Sequence, residues 1–200
     1  MYSQNNEQQV ILNYFKDFKG TLLDLGANDG KTFSNSLKLI ELGWSADLVE
    51  ASPKAFEKLE ILHKNNEVKL HNVAIADFCG HVDFYDSGTL LNKEDSALVS
   101  TIDTNELKRF PKVEYNKIVV KAIDFKTLLE QTKNKTFNFI TIDIEGVDWI
   151  VLKQMNLTNL EVKMLIIETN GVDNQKFIDY VSNFGLTLIA KNGENLIFAL

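Results

Sequence analysis

Cysteine is all but absent. Cys79 is the only one in 200 residues, which excludes an internal disulfide and any cysteine-rich metal centre. It is expected to pack as a small apolar residue or to sit idle. Histidine is also scarce: His63, His71 and His81 are the only three. They fall near a helix end, within a strand and after a turn, where histidine is more often structural or solvated than catalytic. The chain has no apolar run of about 18 residues, so no membrane span is expected. Residues 1–9 are polar, without a charged start leading into an apolar core, so no signal peptide and a cytoplasmic setting are expected. Basic charge is in deficit, with 21 Lys and Arg against 28 Asp and Glu and a formal net charge of −7. That balance argues against a nucleic-acid enzyme, which needs a basic face for phosphate contacts. The one basic cluster, Lys108, Arg109 and Lys112, is flanked by acids and reads as a solvated loop.

What is present is an ample apolar content, 44% of 200 residues, enough for a single α/β domain with a full core over residues 1–200. Its centre is the stretch TLLDLGANDG at 21–30. Thr21, Leu22, Leu23 and Leu25 suit a strand covered on both faces, and Gly26 and Gly30 allow a sharp turn and close approach to a ligand. A dinucleotide turn would read Gly-x-Gly-x-x-Gly, whereas this chain offers Asp24, Gly26, Asn28 and Gly30 at alternate positions. An acid beside a pyrophosphate would repel it. S-adenosylmethionine has no phosphate and carries a cationic sulfonium and ammonium, so Asp24 suits it.

A second strand, WSADLVE, ends in Glu50, 20 positions after Gly30, with Ala51 following. That spacing lets an acid accept hydrogen bonds from a ribose, in NAD and S-adenosylmethionine alike. A solvated acid at a strand end would read the same way. The third strand, 68–75, leads into Ala76 and Asp77. Asp77 is placed either to accept from an adenine amino group, with Ile75 or Phe78 against the ring, or to cap the turn before Gly80.

Around these strands the pattern predicts an amphipathic helix over 7–18, helices over 31–42 and from Ser52-Pro53 onward, and a short extra strand at 81–85. Residues 86–116 are polar and aperiodic, and are expected to form a lid or acceptor-binding insertion. A brief strand at 117–121 follows, then a helix capped by Asp124 and the strand 137–144, with Asp143 near its end and Glu145-Gly146 after it. A helix begins near Asp148, the buried strand 165–169 contains Glu168, and a helix over 173–184 precedes a closing hairpin. Alternating strands and helices predict a doubly wound, mostly parallel sheet of seven strands with a C-terminal antiparallel hairpin.

In this order the chain resembles the FkbM family of methyltransferases: LDLGANDG at 23–30, VEASPKAFEKL at 49–59, NVAIAD at 72–77 with Gly80 and Phe84 behind it, Ser96, VVKAIDFKTLL at 119–129, IDIEGVDWIVL at 142–152 and IIE at 166–168. The resemblance implies a class I, Rossmann-like fold and S-adenosylmethionine as methyl donor, often with transfer to a hydroxyl of a sugar or natural product. Asp148 stands where the family commonly has Glu, and Ala97 follows Ser96 where Ser or Thr is common. These departures bear on acceptor contacts more than on the cofactor.

The cofactor-binding set expected on this reading is Asp24, Gly26, Asn28, Gly30, Glu50, Ala51, Ala76, Asp77 and Asp143. Asp143, at a strand end facing the donor, is the expected general base for a hydroxyl acceptor, either a small molecule or a glycan. Asp143, Glu145 and Glu168 lie at adjacent strand ends and could together hold a divalent cation; oxygen-only ligands suit magnesium. Helix-start electrostatics for Glu145 and Asp148, and backbone hydrogen bonds for Asp143 and Glu168, are the structural alternatives. Two competing functions stand beside catalysis: a noncatalytic binding or assembly subunit on the same fold, and an NAD-dependent oxidoreductase, which Asp24 and the missing middle glycine disfavour.

Overall fold

The computed structural model describes residues 1–64, 68–89, 97–169 and 173–200. In chain order the elements are α1 (Glu7–Phe15), β1 (Thr21–Leu25), α2 (Leu37–Glu41), β2 (Ser45–Val49), α3 (Pro53–His63), β3 (Val68–His71), β4 (Ala74–Ile75) and β5 (Gly80–Ser87), then a 3-10 turn at Glu106–Lys108. They continue with β6 (Tyr115–Ile123), α4 (Phe125–Gln131), β7 (Phe139–Ile142), α5 (Asp148–Leu152), β8 (Met164–Glu168), α6 (Asn174–Ser182), β9 (Thr187–Asn192) and β10 (Asn195–Ala199).

The expected sheet is present. Seven strands lie in the order β3-β2-β1-β7-β8-β10-β9, parallel except for β10, which runs antiparallel to both β8 and β9. β1, β7 and β8 occupy its centre because their residues are apolar on both faces. Leu23, Leu25, Ile140, Ile142, Leu165 and Ile167 pack into one core with Phe125, Leu128 and Val151. Leu22, Phe139 and Ile166 point the other way, against Ile11, Phe15 and Trp44. Two of the predicted caps are made: Ser52 Oγ accepts from Ala55 N at 3.4 Å and Asp124 Oδ1 from Thr127 N at 2.7 Å.

Three elements differ from expectation. The helix predicted over 31–42 is reduced to α2, because side chains upstream satisfy the backbone locally. Asp29 Oδ1 accepts from Lys31 N at 2.8 Å and Thr32 N at 2.7 Å, while Ser34 Oγ accepts from Leu37 N at 3.0 Å. Residues 31–36 therefore form an irregular wall in place of the first turns of a helix. The strand expected over 68–75 divides at Asn72, whose Nδ2 donates to Glu50 O at 2.8 Å. β4 beyond it joins a separate three-stranded sheet, β4-β6-β5. Finally, α1 stops at Phe15, and Phe18, 42% exposed, stacks on the Phe15 ring at a centroid distance of 6.0 Å.

The strand order reverses between β1 and β7, which splits the loops at their carboxyl ends and opens a crevice there. The two strands remain locked at its base: Asp143 N donates to Leu25 O at 2.9 Å, and Gly26 at φ +93 lies so close that a Cβ would overlap the Asp143 carbonyl. Gly43 has the same φ of +93, but only Lys19 Nζ, at 3.5 Å, faces its missing Cβ. Gly43→Ala is therefore expected to cost about 1–2 kcal/mol, the left-handed backbone penalty alone. Gly26→Ala should cost clearly more in urea unfolding, since the Asp143 backbone must also move; equal losses would show that the strand ends are not locked.

Candidate active site

Above the β1/β7 junction lies a cavity of about 550 Å³. Asp24, Gly26 and Asn28 line it from the β1 turn, Val49, Glu50 and Ala51 from the end of β2, and Val73, Ala74 and Ile75 from the segment through β4. Asp143, Ile144, Glu145 and Val147 line it from the turn after β7, and Glu168 from the end of β8. Six of the nine residues expected to meet the cofactor are thus brought together. Gly30, Ala76 and Asp77 are not among the lining residues. Gly30, at φ +78, sits against α3, where a Cβ would lie 2.6 Å from Leu59 Cδ1, so it serves packing. Ala76 is buried, its nitrogen bonded to Ile123 O at 3.0 Å, and Asp77 is exposed because the chain turns outward after β4. Of the two residues considered for the adenine ring, Ile75 lines the cavity and Phe78 is 42% exposed.

Glu50 is buried, and both of its oxygens accept backbone hydrogens: Oε2 from Asn28 N at 2.8 Å and Oε1 from Ser52 N at 2.6 Å. It thereby ties the β1 turn to the start of α3. Each oxygen keeps a further lone pair for a ligand. Burial pushes its carboxyl up to about 7 against those two bonds. Asp24, 5% exposed, accepts from Ser36 Oγ at 2.6 Å, and burial raises it to about 6.

The turn after β7 holds the densest charge. Asp148 is buried, accepting from Ile144 N and Gly146 N at 3.0 Å each, so its carboxylate shapes the turn; burial and then Asp143 push it up to about 7. Asp143 itself is open to the cavity, yet the surrounding protein desolvates it and raises its carboxyl. Glu145 is raised by burial and then by Asp143. Glu168, 8% exposed, is raised furthest, by burial and then by Asp143 and Glu145. One oxygen atom from each of Asp143, Glu145 and Glu168 falls within 4.8 Å of the others. Glu168 Oε2 is buried without a hydrogen-bond partner.

The expected insertion begins and ends in strand, since Asp86 and Ser87 belong to β5 and Tyr115 and Asn116 to β6. Ser96 lies outside the described residues. Ala97 to Ile102, with Arg109 and Phe110, line the cavity. Arg109 corrects the reading of its cluster as solvated: its side chain is 27% exposed and pairs with Glu106, with Glu145 Oε2 at 3.2 Å and with Glu194 Oε2 at 3.3 Å. Thr101 Oγ1 adds a bond to Glu145 O at 2.7 Å. Asn35 was also not foreseen: Nδ2 donates to Thr141 Oγ1 at 3.3 Å, while Oδ1 is a buried acceptor without a partner, and both residues line the cavity. Asn35, Thr101 and Arg109 carry no spacing signal; only tertiary contact identifies them. Among the histidines, His71 bonds Asp47 at 3.1 Å and His63 is buried at the end of α3, whereas His81 is exposed.

The raised carboxyl of Asp24 yields a pH test. Its folded value of about 6 exceeds the ordinary 3.8, so its stabilising share is complete below the ordinary value and is lost as pH rises through the folded one. Asp24→Asn should therefore gain on wild type by roughly 2–3 kcal/mol between about pH 4 and about pH 7 in urea unfolding. A pH-independent difference would contradict the burial assigned to this carboxylate.

The METTL16 methyltransferase domain superposes with a TM-score of 0.48 at 10% identity, covering 96% of this chain and 64% of that one. The present chain thus spans less than two thirds of that domain. A putative RNA methyltransferase, PH1948 from Pyrococcus horikoshii, gives 0.47 at 11% identity, covering 97% and 82%. A human methyltransferase 10 domain containing protein gives 0.44 at 10%, covering 96% and 81%. A search among curated proteins returns no match. The family model described as "Methyltransferase FkbM domain" matches residues 24–188, from the acid at the end of β1 into β9. That span carries the cavity walls from Asp24 to Glu168 and most of the chain, which belongs to the FkbM methyltransferase family.

Proposed function

We propose that this protein is an O-methyltransferase acting on a hydroxyl of a sugar, a glycan or another small molecule, with its chemistry in the cavity above β1 and β7. Family membership implies S-adenosylmethionine as the donor, which when bound supplies an electrophilic methyl on a positively charged sulfur. The residues fit such a group: acids replace the phosphate-binding elements of a dinucleotide turn, and Asp24, Gly26, Asn28 and Glu50 all line the cavity. Gly26 and Asn28 would hold the donor's polar end with Asp24, whose negative charge offsets its positive one. Glu50 would take the ribose hydroxyls on its remaining lone pairs. Val49, Val73 and Ile75 offer an apolar wall for the adenine.

For the acceptor, the segment 97–102 with Arg109 and Phe110 forms the facing wall, in keeping with an acceptor-binding role for the insertion. The acid-rich walls and the formal net charge of −7 favour a small, uncharged acceptor over a nucleic acid. Asp143 is the general base in this reading, taking the proton that the acceptor hydroxyl sheds. Protein around Asp143 raises its carboxyl, and a base strengthened in this way is better matched to a weakly acidic hydroxyl. The remaining work is positioning and exclusion of water. Asp143, Glu145 and Glu168 also form an oxygen-only set of the kind that suits magnesium.

The observation that carries the reading is the meeting of Asp24, Glu50 and Asp143 on one cavity at the reversal of strand order. Asp143→Asn should keep S-adenosylhomocysteine affinity within about threefold while methyl transfer to a hydroxyl acceptor falls by roughly 10²–10⁴. The test combines calorimetry with transfer of labelled methyl across a sugar and small-molecule acceptor panel. Turnover equal to wild type would remove Asp143 as the base.

A further inference from the structure

Three carboxylates within 4.8 Å of one another are costly to hold together unless something positive is shared among them. Arg109 meets only part of that need. It reaches Glu145 Oε2 at 3.2 Å, and its other bonds run outward to Glu106 and to Glu194 at 3.3 Å. Glu168 Oε2 remains buried and unpartnered in a residue only 8% exposed. A buried carboxylate oxygen with no donor is an acceptor for something the polypeptide does not supply.

We propose that Asp143, Glu145 and Glu168 bind one divalent cation and that Arg109 is its internal competitor, a counter-ion whose hold on Glu145 the cation replaces. The inference deepens the reading of this cavity as the methyl-transfer site and rests on it for the purpose of the ion, but its geometry stands on the three carboxylates alone. Oxygen ligands about 2.0–2.1 Å from magnesium lie up to about 4.2 Å apart across the ion, and those at 2.3–2.6 Å from calcium up to about 5 Å. Three oxygens as much as 4.8 Å apart stand about 2.8 Å from a common centre, so a small closure of the side chains brings them to calcium and a larger one to magnesium.

Whichever Glu145 oxygen a dication takes, it stands close to the Arg109 guanidinium held on Oε2 at 3.2 Å, and the two positive groups repel. Binding of the ion therefore weakens the Arg109 bond, and by reciprocity the Arg109 bond weakens the ion. Arg109 sits on the segment that lines the acceptor side of the cavity, between the 3-10 turn and Phe110. Loading the trio would thus loosen that segment at one of its anchors, while Thr101 Oγ1 keeps the second anchor on Glu145 O at 2.7 Å.

The test uses Mn²⁺ as the probe, with free ion counted by electron paramagnetic resonance in the full chain without donor or acceptor. Wild type should bind one ion saturably. Glu168→Gln should weaken it at least about tenfold, and Arg109→Gln should tighten it about threefold to tenfold. Tightening is the outcome that a merely structural Arg109 would not produce. No saturable binding by wild type, or weaker binding in Arg109→Gln with a native circular dichroism spectrum, overturns the proposal. If Arg109→Gln fails to fold, Arg109→Lys replaces it, and its shorter reach to Glu145 should again raise Mn²⁺ affinity. S-adenosylhomocysteine calorimetry on the same wild-type sample separates the two readings. Donor-analogue binding without Mn²⁺ binding overturns the cation site alone, whereas Mn²⁺ binding without donor-analogue binding supports the cation site and sinks the methyl-transfer reading.

Discussion

The close approach of two backbones at the β1/β7 junction is the constraint on which the rest of the site depends. Gly26 rests against the Asp143 carbonyl, and Leu25 O receives Asp143 N at 2.9 Å. The junction lies where the sheet changes direction of growth, so the loops above it part while the strand ends below it are held together. Asp24 and Asp143 are thereby fixed on one cavity from strands that are far apart in sequence. Gly26 N and Ala27 N extend the lock to Val49 O on β2, both at 3.0 Å, which sets Glu50 beside the same turn.

Electrostatic strain is the second theme. Asp24, Glu50, Asp143, Glu145, Asp148 and Glu168 all have carboxyls raised by burial. Such a concentration is unfavourable for folding taken alone, and carboxyls perturbed in this way cluster at functional sites. The chain manages it by dividing labour. Asp148 and Glu50 spend their oxygens on backbone N–H groups and shape the turns. Asp143 and Glu168 look onto the cavity, and Glu145 takes Arg109.

Legibility in the sequence followed the range of the interaction concerned. The central strands, their order of appearance, the closing hairpin and the caps at Ser52 and Asp124 follow from local patterns and are found in place. The acids at strand ends were legible because sheet topology alone brings them together. Residues 31–36 were misread as helix because hydrophobic spacing at Phe33, Leu37 and Ile40 carries no record of Asp29 and Ser34 bonding to nearby backbone. Arg109 was misread for a different reason: its partners Glu145 and Glu194 are 36 and 85 positions away, and composition placed it among solvated charges. Asp77 met the expected position along the chain, but the outward turn after β4 removes it from the cavity.

The central claim is that this cavity is the donor site of an FkbM-family methyltransferase, with Glu50 at the ribose. Isothermal titration of S-adenosylhomocysteine into the wild type and into Glu50→Ala tests it most directly. Saturable binding by the wild type, weakened at least about tenfold by removing a charge-assisted acceptor, is the result the account predicts. Equal affinity of the two proteins, or no binding by folded wild type, would contradict it.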